Sequence, residues 1–220
     1  MGLKVNKNGI ISASGSGNNP NMLLNSATLT GKNGSTVENG ITIGTHNGTS
    51  GWNEAYWPLN QTAVNNPLNG KTVTISLDFM TTDTSKTAAM YYGFGVWNSS
   101  NSRVSDMNVT VSSYTVVNGT MANNKWCRIA YTLTVPTTWT DSGATTYRLQ
   151  IKTAAGADGA VMYHKRIKIE LGNTPTPWCV CPNDAGFTSN HGFVEYTKCY
   201  DNSPAKFGND YVQATELIEI

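Results

Sequence analysis

Apolar residues return at every second position in several stretches of this chain, the period of a half-buried strand. In "KTVTISLDFMT" Val73, Ile75, Leu77 and Phe79 share one face, and Thr74, Ser76 and Asp78 the other. "KWCRIAYTLTV" sets Cys127, Ile129, Tyr131, Leu133 and Val135 against Trp126 and Arg128. "TTYRLQIKT" buries Tyr147, Leu149 and Ile151, and "AVMYHKRIKIEL" is expected to bury Val161, Tyr163, Ile167, Ile169 and Leu171. "MYYGFGVWN" divides into Met90, Tyr92, Phe94 and Val96 on the core side and Tyr91, Gly93, Gly95 and Trp97 on the other. Weaker strands are expected near residues 22–24, 41–45, 52–57 and 109–117. No stretch has a persuasive helical period. Eight or nine strands with one apolar and one polar face predict an all-β fold, a two-sheet antiparallel β-sandwich of the jelly-roll type.

Composition sharpens this picture. Charged residues are only 13% of the 220, and polarity comes from Asn, Thr, Ser and Gly, a mixture that favours tight turns between short strands over helices. The net charge of +1 supplies no broad field for nucleic acid or an anionic membrane. No apolar run is long enough to span a bilayer, and "MGLKVNKNGIISASGSG" has no apolar signal core. Asn-x-Ser/Thr sequons at Asn33, Asn47, Asn60, Asn98, Asn108 and Asn118 are then a by-product of composition, which suits a bacterial or viral origin. Three segments are expected: a connector over 1–19, the sandwich over 20–181, and an extension with short strands over 182–220.

The stretch "KIELGNTPTPWCVCPND" ends a strand at Gly172 and continues with residues that cannot extend a ladder, Pro175 and Pro177. Together with "NMLLNS" near the start and "NNKWCRIAYTLTV" in mid-chain, it resembles the carbohydrate-binding-module-like (galactose-binding-like) jelly roll of phage tail fibre and minor structural proteins. The matching positions are Asn21, Leu23 and Leu24; Trp126 and Arg128; Lys168, Glu170 and Gly172; and Thr176, Trp178, Pro182 and Asp184. Cys179 and Cys181 depart from the pattern, standing at turn positions that the family fills with Thr, Pro or Ala. The resemblance implies a virion component assembled in bacterial cytoplasm, with bacterial cell-surface polysaccharide and other tail proteins as partners. It also implies a homo-oligomer, for which a trimer is one form, and it leaves a structural calcium open, with Glu38, Asp158 and Glu170 as the nearest ligands. Trp178 is expected to plug the sandwich, and Glu170 to pair with Lys168 or Arg166.

Catalytic signatures are missing: there is no Gly-x-Ser-x-Gly elbow, phosphate loop or His-Glu-x-x-His, and His46, His164 and His191 have no evident partners. Cys179, Cys181, Cys199 and His191 do not have the spacing of a zinc ribbon, so no metal site and no cofactor is expected there, while a disulfide from Cys199 to one of the pair stays open. Glycan binding fits the residues better, because a pyranose offers an apolar C–H face to an aromatic and a rim of hydroxyls to amides and charged groups. Tyr91 and Trp97, separated by two glycines that admit a ligand to the backbone, are the first candidates, with Arg128 and Gln150 as hydrogen-bonding partners. Trp52 and Trp57 in "GWNEAYWPLNQ" are the next, and Trp139 is a loop-tip candidate. The alternatives are an accessory carbohydrate-binding module of a secreted bacterial polysaccharide-degrading enzyme and a structural tail spacer or assembly protein with no ligand.

Overall fold

The structure, a computed structural model, describes residues 2–5, 11–14, 19–26, 29, 35–38, 41–45, 52–60, 68–184, 191–193 and 217–219. For 2–5, 11–14, 35–38, 41–45, 52–53, 140–142, 191–193 and 217–219 it describes the backbone alone. β1 (Gly2–Val5) and β2 (Ile11–Ser14) pair as a separate ribbon. Then come β3 (Ser35–Glu38), β4 (Ile41–Thr45), β5 (Trp52–Pro58), β6 (Thr72–Thr81), β7 (Met90–Trp97), β8 (Arg103–Thr110), β9 (Thr115–Gly119), β10 (Cys127–Thr134), β11 (Thr146–Ala154) and β12 (Val161–Leu171). They form a six-stranded sheet in the order β3-β4-β12-β6-β10-β9 and a four-stranded sheet in the order β5-β11-β7-β8, with every pairing antiparallel. The chain divides into two units, Met1–Asp184 and Ala185–Ile220, and the second contains a pair of short strands, β13 (His191–Phe193) and β14 (Leu217–Glu219). Helix among the described residues is limited to 3-10 segments of three to six residues, such as Thr84–Ala89.

The first unit is an all-β sandwich of two antiparallel sheets. Its core combines Val73, Ile75, Leu77, Phe79 and Ile129 of one sheet with Tyr92, Phe94, Val96, Tyr147 and Leu149 of the other. Alternation along β6, β7, β10 and β11 therefore faces the core as the sequence predicts, although Tyr131 of β10 is half-buried. β12 departs from it. Met162 and His164 are buried and Val161 and Tyr163 are not fully so, whereas Ile167 and Ile169 are buried as expected. The cause is a bulge: Lys165 pairs with Asp78 and Lys168 with Ser76, so β12 spends one residue more than β6, and Arg166 takes up the difference at φ 48°. An inserted residue moves every side chain before it to the opposite face. The expected strand over 109–117 is likewise broken by a 3-10 turn at Val111–Ser113, which separates β8 in one sheet from β9 in the other.

The residues that carry the family resemblance close the sandwich. The side chain of Asn21 donates to Ser26 Oγ, the Ile167 carbonyl and the Cys179 carbonyl, and accepts from the backbone N–H groups of Leu23 and Ile169. One buried amide thus ties the chain start, the β12 bulge and the closing segment together. Residues 172–177 then cross the outer face of the six-stranded sheet. The Thr74 hydroxyl donates to the Gly172 carbonyl, and Thr132 to that of Asn173. Beneath this strap Lys168 and Glu170 are both 0% exposed, 3.4 Å apart. Lys168 also donates to the Pro177 carbonyl, and the Glu170 carboxylate accepts from the Thr176 N–H and hydroxyl. The strap covers Thr74, and the guanidinium groups of Arg128 and Arg166 cover Ser76 and Asp78, so the polar side of β6 is buried as well as its apolar side. Trp178 is half-buried beside the strap, and Asp184 accepts from the Asn25 N–H at 2.5 Å.

Candidate functional site

The outer face of the four-stranded sheet gathers three of the six predicted glycan-site residues. Tyr91 and Trp97 of β7 and Gln150 of β11 share it, joined by Glu54 and Tyr56 of β5, Arg148 and Lys152 of β11, and Asp106 and Asn108 of β8. Arg128 does not belong there. It lies on β10, in the other sheet, and faces away from the core. Trp57 is a core residue, its ring edge-on to His164 at 6.5 Å. Trp139 is buried against Tyr147, not exposed at a loop tip. The Trp52 and Glu38 side chains, His46, Cys199 and the side chain of His191 lie outside the described residues.

The two glycines of β7 serve the protein's own packing. A Cβ on Gly95 would lie 2.4 Å from Gln150 Nε2 and 2.5 Å from the Trp97 ring, and one on Gly93 would lie 1.8 Å from the Met107 carbonyl oxygen. The space at Gly95 is therefore filled by Trp97 and Gln150 and that at Gly93 by the β8 backbone, and neither is held open. Trp97, 4% exposed, packs at 5.0 Å on Tyr56, and the Arg148 guanidinium lies over both rings, 4.3 Å from the Trp97 centroid and 5.5 Å from that of Tyr56. Arg148 is held by the Asn101 side-chain oxygen.

Charges lace the same face. Lys152 reaches across β7 to Asp106 at 2.6 Å and lies 3.4 Å from Glu54; Arg103 joins Glu54 at 2.7 Å. With about 4.8 Å between neighbouring strands, that last contact bridges the whole width of the sheet. Burial alone would raise the Asp106 carboxyl. The hydrogen bond and charge of Lys152, the Asn108 side chain and the Arg103 charge outweigh it and hold the group below the ordinary carboxylate value. Gln150 is the exception to this mutual satisfaction. It is 1% exposed, and neither its amide oxygen nor its amide nitrogen has a partner; the Asn108 side-chain oxygen nearby is also unpartnered. A buried polar atom left unpaired costs about 1–3 kcal/mol, so Gln150 is a local cost of packing this face.

A concavity lies on the opposite face of the sandwich, where the strap does not cover the six-stranded sheet. It holds about 170 Å³ and is lined by Asp78, Asn118, Gly119, Trp126, Cys127, Arg128 and Arg166. The remaining candidates have structural partners. Glu170 is engaged by Lys168 and Thr176, and the Asp158 backbone carbonyl accepts from Lys86. Cys127, Cys179 and Cys181 are free thiols; burial pushes those of Cys127 and Cys181 up. Among the described residues no three His, Cys, Asp or Glu side chains come together as a metal site.

No family model matches the chain, and no curated protein sequence matches it. Among solved structures it is similar to the tripod from the baseplate of bacteriophage Tuc2009, at 21% identity and a TM-score of 0.44, over 74% of this chain and 59% of that one. It is also similar to the CBM22-1 xylan-binding domain of Paenibacillus barcinonensis Xyn10C, at 14% identity and a TM-score of 0.39, over 73% of this chain and 100% of that one. A third, a xylan-binding domain of CBM 22, shares 15% identity over 74% of this chain and 93% of its own, with a TM-score of 0.37.

Proposed function

We propose that this chain is a non-enzymatic module of a phage tail, in a fibre or baseplate, that binds bacterial surface glycans through the outer face of its four-stranded sheet. The observation that carries the reading is the half-buried rings of Tyr56 and Tyr91 set on one face with the charged row of Glu54, Arg103, Asp106 and Lys152. Sugar hydroxyls, donor and acceptor at once, pair with such charged groups while a ring face takes the C–H surface. The phage context rests on the three motifs in their order. A few weak hydroxyl contacts and one or two stacking rings give a single-site dissociation constant of roughly micromolar to millimolar. Adhesion then depends on several copies acting together, as in an oligomeric fibre or baseplate.

A structural tail spacer is the second reading. Its supporting observation is Arg148, whose guanidinium already occupies the ring faces of Trp97 and Tyr56. The deciding experiment measures binding of the full chain, displayed in many copies on beads, to a panel of bacterial cell-wall polysaccharides. Glu54→Gln and Tyr91→Ala are expected to weaken the interaction while leaving the fold intact. A parent that retains no polysaccharide would leave the spacer reading standing, and variants that bind as well as the parent would exclude this face as the site.

A further inference from the structure

The open concavity on the six-stranded sheet is built around one carboxylate shared by two arginines. Asp78 accepts from Arg128 Nη1 at 3.0 Å and from Arg166 Nε at 2.5 Å. Arg128 also donates to Ser76 Oγ and to the Arg166 carbonyl, which fixes the plane of its guanidinium. Lys165 lies 4.3 Å over the Trp126 ring at the rim. Three cations against one anion leave a surplus of about two positive charges in a chain whose net charge is +1. These bonds use three of the five N–H donors of Arg128 and leave donors on the Arg166 guanidinium, whose side chain is 58% exposed.

The backbone places Arg166 there at a cost. A non-glycine residue at positive φ is strained by roughly 1–3 kcal/mol, and Arg166 sits at φ 48° on the bulge that changes the parity of β12. Opposite it, Gly119 at φ 82° ends β9 beside a second irregularity, between Arg128 and Ile129. Two bulges on either side of β6 and β10 thus shape a recess of about 170 Å³ with Asn118 and Trp126 on its walls. Drug-sized ligand pockets run from about 300 Å³ upward, so this one takes a single small group.

We propose that this recess is an oxyanion site, which takes the carboxylate or phosphate of one acidic residue of a polysaccharide. A planar guanidinium fork matches such oxygens in two-point hydrogen bonds, Asn118 supplies an amide, and Trp126 a wall. The site is separate from the face that carries Gln150 and stands or falls independently of it.

Affinity electrophoresis of the full chain tests this, with gels containing polygalacturonate, poly(glycerol phosphate) or neutral dextran. The parent is expected to be retarded by one or both acidic polymers, less so as salt rises, and not by dextran. The polymer that retards it identifies the oxyanion as carboxylate or phosphate. Arg166→Gly removes the guanidinium and relieves the positive φ, so the fold is kept; it is expected to weaken retention at least about tenfold, the loss of one charge-assisted contact. Asn118→Asp, on an exposed strand, puts a negative charge in the recess and is expected to do the same. Lys71→Gln, which removes an exposed cation before the start of β6 and outside the recess, is expected to leave retention unchanged. Equal retardation by dextran, no retardation by either acidic polymer, or variants at Arg166 and Asn118 that bind like the parent overturn the proposal.

Discussion

His164 offers the sharpest test of the packing. Its ring lies wholly in the core, edge-on to Tyr92 at 5.8 Å and to Trp57 at 6.5 Å, and neither ring nitrogen has a partner. Burial pushes its pKa down from 6.5 to about 3. The folded protein therefore holds it neutral, while the unfolded chain takes up a proton as pH falls below about 6.5. The contribution is constant above that value and is lost between it and about 3. Each pH unit in this window removes about 1.4 kcal/mol. Between about pH 7.5 and about pH 4.5 the loss from this one group is then roughly 3 kcal/mol, a large share of a typical domain's stability. His164→Phe keeps the edge-to-face contacts and removes the titration. Urea unfolding of parent and variant at both pH values is the assay. Other groups titrate in both proteins, so the difference between the two pH dependences isolates His164. The variant is expected to be at least as stable at the higher pH, because two unpaired nitrogens are gone, and to lose roughly 3 kcal/mol less on acidification. If parent and variant lose the same stability, the ring is not buried and neutral in this core.

Three further outcomes follow from particular contacts. Gly95→Ala drives a Cβ into Gln150 and Trp97 and is expected to cost about 1–3 kcal/mol in chemical denaturation, as overpacking does. Lys168→Met leaves Glu170 buried without its cation and should cost roughly 3–5 kcal/mol, most of it recovered in the double variant with Glu170→Leu, a pattern that a double-mutant cycle reads directly. Asn21→Leu removes an amide with five hydrogen-bonding contacts; the expected result is loss of cooperative unfolding in a thermal melt, since several buried backbone groups lose their partner together.

Strand content and core identity were legible in the sequence because a strand repeats every two residues, and burying one face selects apolar side chains at that period. Val73 to Phe79, Tyr147 to Ile151 and Met90 to Val96 could be assigned from the pattern alone. The motif residues Asn21, Lys168, Glu170 and Thr176 could be picked out as a set, but their joint role in closing the sandwich depends on contacts between positions up to about 150 apart, which no local pattern encodes. The β12 bulge was hidden for a related reason: one residue in left-handed geometry reverses the parity of everything before it, and Arg166 is not a residue that announces such a turn. The candidate site shows the same division. Tyr91, Trp97 and Gln150 share a face because alternation within β7 and β11 and their pairing put them there. Arg128 was expected beside them and lies on the other sheet, since the sheet a strand joins is fixed by pairing and not by its own residues. The glycine pair in β7 was visible, yet its use was not: a missing Cβ leaves room for a ligand or for a neighbour, and only the packed structure shows Trp97 and Gln150 in that space.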